Sequence, residues 1–399
     1  MADTPDTAMR GFPPDPRTRV HAGNWFELPF LRWTLLHRSR MVRTAPVWCG
    51  PGPASSLPAG PSTLGAITVA DRQGSRSLDD TLDALDIDGL IVLHRGQVVL
   101  ERYFHGMAPH TQHGSASVSK SYLAALAAVL AQEGAVDLRR RAEHYVPELH
   151  GCALGDATLQ QLMDMQAALA SPLLPGRDAR LGSNDGGIYE VIGLMPLQEG
   201  SPRDFYEFVL RKHKSGAHGE RFHYDNATPE ALAWVLKRAC GAPLSELLSS
   251  RVFAPLGCER DGAYTVDASG AEFASGGLSL TLRDLARFGE ALRCEGYWNG
   301  RQVVPASFAE SLAGGGDRRL FAEGRFAQSM PGWSYANGFY ALHDDHDAFM
   351  ASGRYGQRLY VARRAELVIA HFASSPGPFP HPSEREFIAF HQAIVQSVA

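Results

Sequence analysis

The 399-residue chain contains little lysine and little cysteine. Its lysines are Lys120, Lys212, Lys214 and Lys237, so nearly all of its positive charge is arginine. The five cysteines are widely spaced and include no Cys-x-x-Cys pair, which argues against a disulfide framework and against a zinc site. We therefore expect unpaired thiols in the core.

Several other features are missing from the sequence. With 44% hydrophobic residues and a net charge of -5, it has the composition of an ordinary globular protein without the basic surface that nucleic acid requires. It has no basic start followed by an apolar stretch, and no apolar run long enough to cross a bilayer. It also has no Gly-x-Ser-x-Gly, His-Glu-x-x-His, Walker A or Gly-x-Gly-x-x-Gly motif. We predict a cytoplasmic protein without a nucleic-acid or membrane partner.

Composition divides the chain into three parts. Residues 1–65 are rich in proline and glycine, and we expect them to extend over the body, docked through the apolar stretch 26–36. Residues 66–150 and 261–399 contain strand-like segments, which predict one α/β domain of the α+β type, with an antiparallel sheet flanked by helices. Residues 151–260 predict a mostly helical lobe, so the expected site lies in the cleft between the lobes.

Local patterns place the main elements. Two β-rich runs flank Arg95-Gly96, which predicts a hairpin. The Ala/Leu-rich stretch from Ser117 to Gln132 has no polar face and predicts a buried helix. Ser383 and Glu386 have capping-box spacing before a C-terminal helix. Further predicted elements are helices near 158–166, 203–214, 228–239 and 282–293, and strands within 338–372.

The predicted buried helix contains an isolated charge. Lys120 is the only Asp, Glu, Lys or Arg between Arg102 and Glu133, and it follows Ser117 by three residues. Positions i and i+3 share one helix face, and an apolar setting disfavours an ammonium, so a neutral amine able to accept the serine proton becomes accessible. The alternative is an ordinary serine N-cap and a lysine that reaches water.

Two later segments add candidate polar groups. In Tyr224-Asp225-Asn226, the tyrosine hydroxyl could pass a proton to a leaving group, and Asn226 could position the lysine or a substrate carbonyl. The alternative is a buried tyrosine beside an Asx turn.

The glycine-rich segment Ala351-Ser352-Gly353-Arg354 precedes a strand. Its backbone could approach a ligand closely, with Ser352 and Gly353 positioning the substrate and one N–H completing an oxyanion hole. The alternative is that the glycines mark only a bulge or a turn.

These three segments, in this order, resemble those of the penicillin-recognising serine hydrolases, the superfamily of class C β-lactamases, D-Ala-D-Ala peptidases and β-lactamase-fold carboxylesterases. The resemblance implies that Ser117 is the nucleophile, Lys120 the base and Tyr224 the proton shuttle. It further implies that the backbone N–H groups of Ser117 and Arg354 form the oxyanion hole.

Within the superfamily the likeness is greatest to the 6-aminohexanoate-dimer hydrolases and the family VIII carboxylesterases. The likeness to the dimer hydrolases is carried by Arg32-Trp33, His37, Met41-Val42, Ala45, Ser117-Val118-Ser119-Lys120-Ser121 and Gly356-Gln357. Two features depart from the superfamily pattern. Ala351 stands where β-lactamases and peptidases have the lysine of Lys-Thr-Gly, and the 167–202 loop does not resemble the substrate-covering loop of the dimer hydrolases.

The resemblance implies a serine hydrolase that cleaves small carboxylic esters or amides through an acyl-enzyme, without metal or cofactor. Its partner is then a small-molecule substrate, and a homodimer is an open alternative. Other functions also stay open: a hydrolase of linear amides, a weak β-lactamase or D-Ala-D-Ala peptidase, and a non-catalytic ligand-binding member of the fold. The acids and histidines of 343–347 form a metal-like cluster, but a solvated loop is the better interpretation.

Overall fold

The structure, a computed structural model, describes residues 8–61, 64, 67–71, 74–170, 187–377 and 384–398. The strands, in chain order, are β1 (Thr44–Val47), β2 (Thr68–Asp71), β3 (Gly74–Ser77), β4 (Ile87–His94), β5 (Gln97–Tyr103), β6 (His113–Gly114), β7 (Leu169–Ala170), β8 (His213–Lys214), β9 (Gly262–Thr265), β10 (Leu278–Leu280), β11 (Tyr297–Trp298), β12 (Arg301–Gln302), β13 (Ser334–Ala336), β14 (Phe339–Ala341), β15 (Ala348–Gly353), β16 (Gln357–Ala362) and β17 (Leu367–Ala373).

The α-helices are α1 (Phe30–Leu36), α2 (Leu78–Ala84), α3 (Ser119–Gln132), α4 (Ala142–Tyr145), α5 (Leu159–Met163), α6 (Ile188–Val191), α7 (Phe205–Leu210), α8 (Ala227–Cys240), α9 (Leu244–Leu248), α10 (Ala254–Leu256), α11 (Leu282–Arg293), α12 (Ala306–Gly314), α13 (Arg318–Ala322) and α14 (Glu384–Val398). The predicted helices near 158–166, 203–214, 228–239 and 282–293 correspond to α5, α7, α8 and α11 and are confirmed. The predicted capping box at Ser383 lies outside the described residues, although α14 itself is present.

Strands from both parts of the predicted α/β domain share one antiparallel sheet. Its seven strands run in the order β13-β14-β15-β16-β17-β4-β5, so the early hairpin β4–β5 extends the late strands through the pair β17–β4. At the hairpin turn, Arg95 has φ 52° and Gly96 has φ 76°, and two positive φ angles are typical of tight hairpin turns. The predicted hairpin and the antiparallel fold class are therefore confirmed.

The sheet is covered on both faces, which explains why its central strands are almost continuously apolar. Along β17, Val368 and Ala370 belong to one hydrophobic cluster, whereas Leu367 and Ile369 belong to a second cluster on the opposite face. This alternation follows from the two-residue period of a strand. Helix α11 packs on the first face, and the apolar side of α14 packs on the second.

Helix α3 is buried almost all round, as its composition predicts. It begins at Ser119, and Ser117 lies in the 3-10 turn Ala116–Val118 that runs directly into it, so the α-helix begins two residues after the approximate predicted start at Ser117. The left-handed backbone of Ala116, with φ 46°, bends the chain before the α-helix begins. The tighter turn nevertheless keeps Ser117 and Lys120 on one side.

Apolar residues of the N-terminal segment pack against the rest of the chain. Trp25, Leu31 and Trp33 are buried in the main core. The segment also supplies β1, a strand that the sequence did not suggest, at the edge of the four-stranded sheet β1-β9-β10-β6. Proline at position 46 is compatible with this place, because an edge strand tolerates a missing N–H donor.

Two remaining expectations concern parts of the chain that the structure tests only in part. Residues 171–186 of the divergent 167–202 loop lie outside the described residues, and the boundaries of the two lobes stay predictions. Across the described ranges, no helix combines the length and apolar character needed to cross a bilayer.

We expect Gly289→Ala to destabilise the fold. A methyl group at this α11 position would lie 2.6 Å from Leu359 Cδ1 and 2.7 Å from Val368 Cγ1, and overpacking of this kind costs about 1–3 kcal/mol. Urea denaturation measures the free energy of unfolding. Gly314→Ala, where no atom lies within 4 Å of the new methyl, is the control and should gain stability from helix propensity. Unchanged stability of Gly289→Ala would contradict the close approach of α11 to the sheet.

Candidate active site

The amine of Lys120 is buried between three groups. Its Nζ donates to Ser117 Oγ at 2.9 Å and to the Ser275 carbonyl oxygen at 2.6 Å. It also lies 4.9 Å from the centroid of the Tyr224 ring. Lys120 is only 4% exposed, and a buried ammonium or amine needs such partners to offset the loss of water. The structure thus brings the three residues Ser117, Lys120 and Tyr224 together.

Hydrogen bonds to β10 hold the turn that carries Ser117. Ser115 Oγ donates to the Leu278 carbonyl at 2.7 Å, and Ser119 Oγ accepts from the Leu278 N–H at 3.1 Å. The Ser119 hydroxyl also donates to the carbonyl of Ala116 at 2.7 Å. The two serines flanking Ser117 therefore act as anchors, which leaves the half-buried Ser117 to face Lys120.

A buried carboxyl positions the carbonyl that Lys120 contacts. Glu230, on α8, accepts the N–H groups of Ser275 at 2.8 Å and Ala274 at 3.1 Å. Glu230 is 4% exposed, and this burial raises the pKa of its carboxyl to about 7, although the hydrogen bonds from Ser275 and Ala274 oppose the shift. The segment whose carbonyl accepts from the lysine amine is therefore held by Glu230, a carboxyl group with a pKa near neutral pH.

The start of α8 fixes the position of Tyr224. The Asp225 side chain accepts the Ala227 N–H at 2.8 Å and pairs with Lys212 at 3.3 Å, which fixes the turn that leads into the helix. Tyr224 is 8% exposed and packs among Phe222, Phe321, Phe326, Tyr335 and Tyr340, with Met165 and Met330. Asn226 is the residue immediately before α8, and its positioning role stays a prediction.

The end of β15 reaches the backbone of Ser117. A Cβ at Gly353 would lie 3.1 Å from Ser117 N and 2.6 Å from the Ser115 carbonyl oxygen, so only glycine fits between them. Ser352 is buried, and its Oγ has no hydrogen-bond partner in the described part of the chain. Ala351 is fully buried and places no cation at this strand.

A buried ion pair orients the turn after Gly353. Arg358 donates to the Gly353 carbonyl at 2.7 Å and pairs with Glu384 of α14 at 2.6 Å. Gln357 Nε2 donates to the Arg354 carbonyl at 3.2 Å and the Ala373 carbonyl at 2.7 Å. In a trans peptide the N–H points opposite to the C=O. Because the Gly353 carbonyl faces the buried pair, the Arg354 N–H faces away from it.

The Arg354 side chain extends from the end of β15 toward Tyr189 of α6. Its Nη1 donates to the Tyr189 hydroxyl at 3.0 Å, and its Nε donates to the Gly377 carbonyl at 3.3 Å. The Tyr189 ring packs against Trp25 of the N-terminal segment, with ring centroids 5.1 Å apart. The N-terminal segment is thereby linked to the residue that follows Gly353.

Sequence reasoning missed Ser275, Glu230 and Arg358. The available signal for Ser275 was the pair Gly276-Gly277 that follows it, because glycines let the backbone approach another group closely. Nothing in the spacing of Glu230 or Arg358 indicated that they would be buried beside the site.

The 343–347 cluster forms a loop with internal hydrogen bonds. His343 Nε2 lies 2.8 Å from Ser334 Oγ, and Asp344 accepts the backbone N–H groups of His346 and Ala348. Among the residues that the structure describes, no group of three or more His, Cys, Asp or Glu is placed to hold a metal ion.

The chain is similar to known hydrolases over most of its length. A family model described as Beta-lactamase matches residues 78–393. A 6-aminohexanoate-dimer hydrolase of Paenarthrobacter ureafaciens is 31% identical over 360 residues, which cover 89% of this chain and 88% of the relative.

Solved structures show the same similarity. A Bacillus anthracis protein provisionally assigned as a 6-aminohexanoate-dimer hydrolase superposes with a TM-score of 0.87 at 32% identity, covering 94% of this chain and 96% of that one. A family VIII carboxylesterase superposes with a TM-score of 0.57 at 17% identity, covering 79% and 96% of the two chains, which is a likeness of fold alone.

We expect Glu230→Gln to weaken the pH dependence of stability. The pKa of Glu230 is raised from 4.5 to about 7, so the folded state binds its proton more tightly than the unfolded chain does. Its contribution is fully present below pH 4.5 and is lost as the pH rises through 7, up to about 3 kcal/mol. Urea denaturation between pH 4.5 and 8 should show this decline in the wild type and a flatter profile in the variant.

Glu246→Gln, at an exposed position of α9, is the control and should keep the wild-type profile. Parallel profiles for wild type and Glu230→Gln would show that the titration of Glu230 does not affect stability.

Proposed function

This chain belongs to the β-lactamase family and is a serine hydrolase, and from that premise we propose that it cleaves small carboxylic esters or amides through an acyl-enzyme on Ser117. The observation that carries the proposal is the 2.9 Å contact between Lys120 Nζ and Ser117 Oγ inside the apolar core. A hydroxyl is a weak nucleophile until an adjacent base takes its proton. The amine of Lys120, 2.9 Å from the Ser117 hydroxyl, is the proposed base.

In the first half of the reaction, Ser117 Oγ attacks the substrate carbonyl carbon while its proton passes to the neutral Lys120 amine. The Ser275 carbonyl accepts from the same amine and stabilises the ammonium that forms. The oxyanion of the tetrahedral intermediate accepts the N–H groups of Ser117 and Arg354. The nearness of Gly353 to Ser117 N supports this pairing of donors, as does the anchoring of the Gly353 carbonyl by Arg358.

Tyr224 serves as the proton shuttle to the leaving group. Its ring centroid lies 4.9 Å from the Lys120 amine, which supports transfer of the serine proton through the phenol to the departing oxygen or nitrogen. Lys120 then takes a proton from a water molecule as that water attacks the acyl-enzyme. This step releases the carboxylic acid and restores Ser117. Asn226, Ser352 and Gly353 position the substrate, and the buried hydroxyl of Ser352 supplies an uncommitted donor at the strand.

Short esters are the first substrate class that we propose, because an alkoxide leaving group needs less protonation than an amine. Linear amides are the second class, and the Paenarthrobacter ureafaciens relative, which is named for the hydrolysis of an amide, favours it. Ala351 is buried and uncharged at the position where the resemblance implies a lysine. Nothing there would hold the carboxylate of a β-lactam, so we expect poor β-lactamase activity.

A fluorophosphonate probe should label Ser117 in the wild-type protein, as intact mass and peptide mapping would show. Ser117→Ala should take no label, and Lys120→Met should slow labelling by about 100-fold or more because the serine loses its base. Lys214→Met, which removes a surface lysine paired with Asp156, is the matched control and should label at the wild-type rate. An equal adduct on Ser117→Ala would rule out the proposed nucleophile.

A substrate panel should rank short p-nitrophenyl esters first, with little turnover of a chromogenic cephalosporin. Adding 6-aminohexanoate dimer to the panel compares ester with linear amide cleavage by kcat/KM. Tyr224→Phe should reduce kcat more on the amide than on the activated ester, because p-nitrophenolate leaves without a proton. Faster turnover of the cephalosporin than of the esters would overturn the ranking.

A further inference from the structure

One cavity lies beside helix α8 rather than at Ser117. Its volume is about 680 Å³, which is in the range of small-molecule pockets. Trp234 and Lys237 of α8 line it together with Tyr206 of α7, whereas none of the proposed catalytic residues does. Lys237 follows Glu230 by two turns of α8, about 10 Å. The cavity is therefore separate from the active site but shares a helix with it.

Hydrogen-bond donors of three side chains meet in this cavity. The rings of Tyr206 and Trp234 pack edge to face with centroids 4.7 Å apart, and the Lys237 amine lies 5.1 Å from the Tyr206 ring centroid. The Trp234 indole N–H has no hydrogen-bond partner among the described residues and is not fully buried, although the side chain is only 9% exposed. The Tyr206 hydroxyl accepts from Lys237 at 3.3 Å, so its own proton is available to donate.

The ammonium of Lys237 is loosely paired for a group with little access to water. Its side chain is 14% exposed, and its Nζ lies 3.5 Å from one Glu272 oxygen. This contact and the one to the Tyr206 hydroxyl exceed the usual hydrogen-bond distance of about 2.7–3.2 Å. Ser245 donates to the other Glu272 oxygen from its N–H at 3.0 Å and from its hydroxyl at 2.9 Å. Lys237 therefore keeps donor capacity for a further acceptor.

A small organic carboxylate suits these groups. A hydrogen bond from an ammonium to a carboxylate is among the strongest that the cavity can offer. Arg238 also lines the cavity, but it already pairs with Glu148 at 2.8 Å. Ala242 and Pro243 add an apolar wall beside the partly exposed Tyr206, which accommodates a hydrocarbon body. Inorganic phosphate would use the ammonium but leave this wall uncovered.

One wall of the cavity continues into the active site. Glu272 lies three residues before Ser275, whose carbonyl accepts from the Lys120 amine. Glu230 holds the same segment from α8. Burial raises the pKa of the Glu230 carboxyl to about 7, whereas its hydrogen bonds and the charge of Lys237 oppose that shift. A ligand that draws Lys237 away from Glu272 therefore perturbs the segment whose carbonyl holds the catalytic amine.

We propose that this cavity is a second ligand site, which binds a small organic carboxylate at Lys237 and Trp234 and thereby slows catalysis at Ser117. The carboxylate accepts from the Lys237 amine and the Trp234 N–H, and the hydrocarbon body lies against the apolar wall. Binding is independent of the proposed hydrolase chemistry, whereas the effect on catalysis rests on that proposed function. The acid released from an ester or amide belongs to this ligand class.

Isothermal titration calorimetry with 2-naphthoate and the uncharged 2-naphthamide tests the site. The wild type should bind the carboxylate more tightly than the amide. Lys237→Met should weaken naphthoate binding by about tenfold, because a charge-assisted hydrogen bond is lost. The same variant should keep its affinity for naphthamide, which shows that the cavity is still folded. Trp234→Phe, which removes the N–H and keeps a ring, should weaken naphthoate binding by a smaller factor.

The matched control is Lys214→Met, which removes a surface lysine paired with Asp156 and should bind both compounds as the wild type does. Equal affinity of the wild type for the two compounds would overturn the carboxylate site. Naphthoate binding that Lys237→Met leaves unchanged would overturn it as well.

Hydrolysis of a short p-nitrophenyl ester tests the effect on catalysis. Saturating naphthoate should lower kcat by about twofold or more without raising KM, and Lys237→Met should abolish this inhibition. A rise in KM alone would place naphthoate in the active site and overturn the second site. Binding through Lys237 with an unchanged kcat would support the site and overturn its coupling to catalysis. Binding through Lys237 in a protein that hydrolyses no ester would support the site and reject the proposed function.

Discussion

A buried amine must have hydrogen-bond acceptors, and this requirement organises the structure around Lys120. Removing a lysine amine from water is costly unless protein groups replace the water. Here the replacements come from distant parts of the chain: Ser117 from the preceding turn, the Ser275 carbonyl from the segment before β10, and the Tyr224 ring from the start of α8. Three segments must therefore fold together before the Lys120 amine has all of these partners.

Each of those segments is fixed by polar groups that do not touch Lys120. Glu230 holds the segment of Ser275, and Asp225 fixes the turn between Tyr224 and α8. Ser115 and Ser119 anchor the Ser117 turn to Leu278. On the other side, Arg358 and Gln357 hold the carbonyls next to the Ser117 backbone. These groups are buried, so each is costly to leave unpaired, and the geometry at Ser117 is correspondingly well determined.

The sequence predicted the parts of this arrangement that depend on local pattern. Three of these parts are short-range features: the hairpin at Arg95-Gly96, the apolar helix and the Ser117–Lys120 spacing. The structure contains all three. Strand β1 and the left-handed Ala116 escaped prediction because both depend on partners far away in the chain. Glu230 and Arg358 escaped for the same reason, since a charged residue in an amphipathic helix or strand is ordinarily solvent-exposed. The resemblance to a family assigned the three motifs to one site. Local sequence patterns alone left a structural alternative open for each motif.

The order of the sheet strands has a consequence for synthesis on the ribosome. Strand β4 is made before the Ser117 turn, yet its neighbour β17 and the covering helix α14 are made more than 250 residues later. Until then the growing chain exposes an unpaired strand edge and one apolar face, which invites aggregation and chaperone binding. The turn at Gly353 also emerges late. Any stabilisation that the Arg354 N–H gives to a tetrahedral intermediate at Ser117 is therefore absent until synthesis is nearly finished.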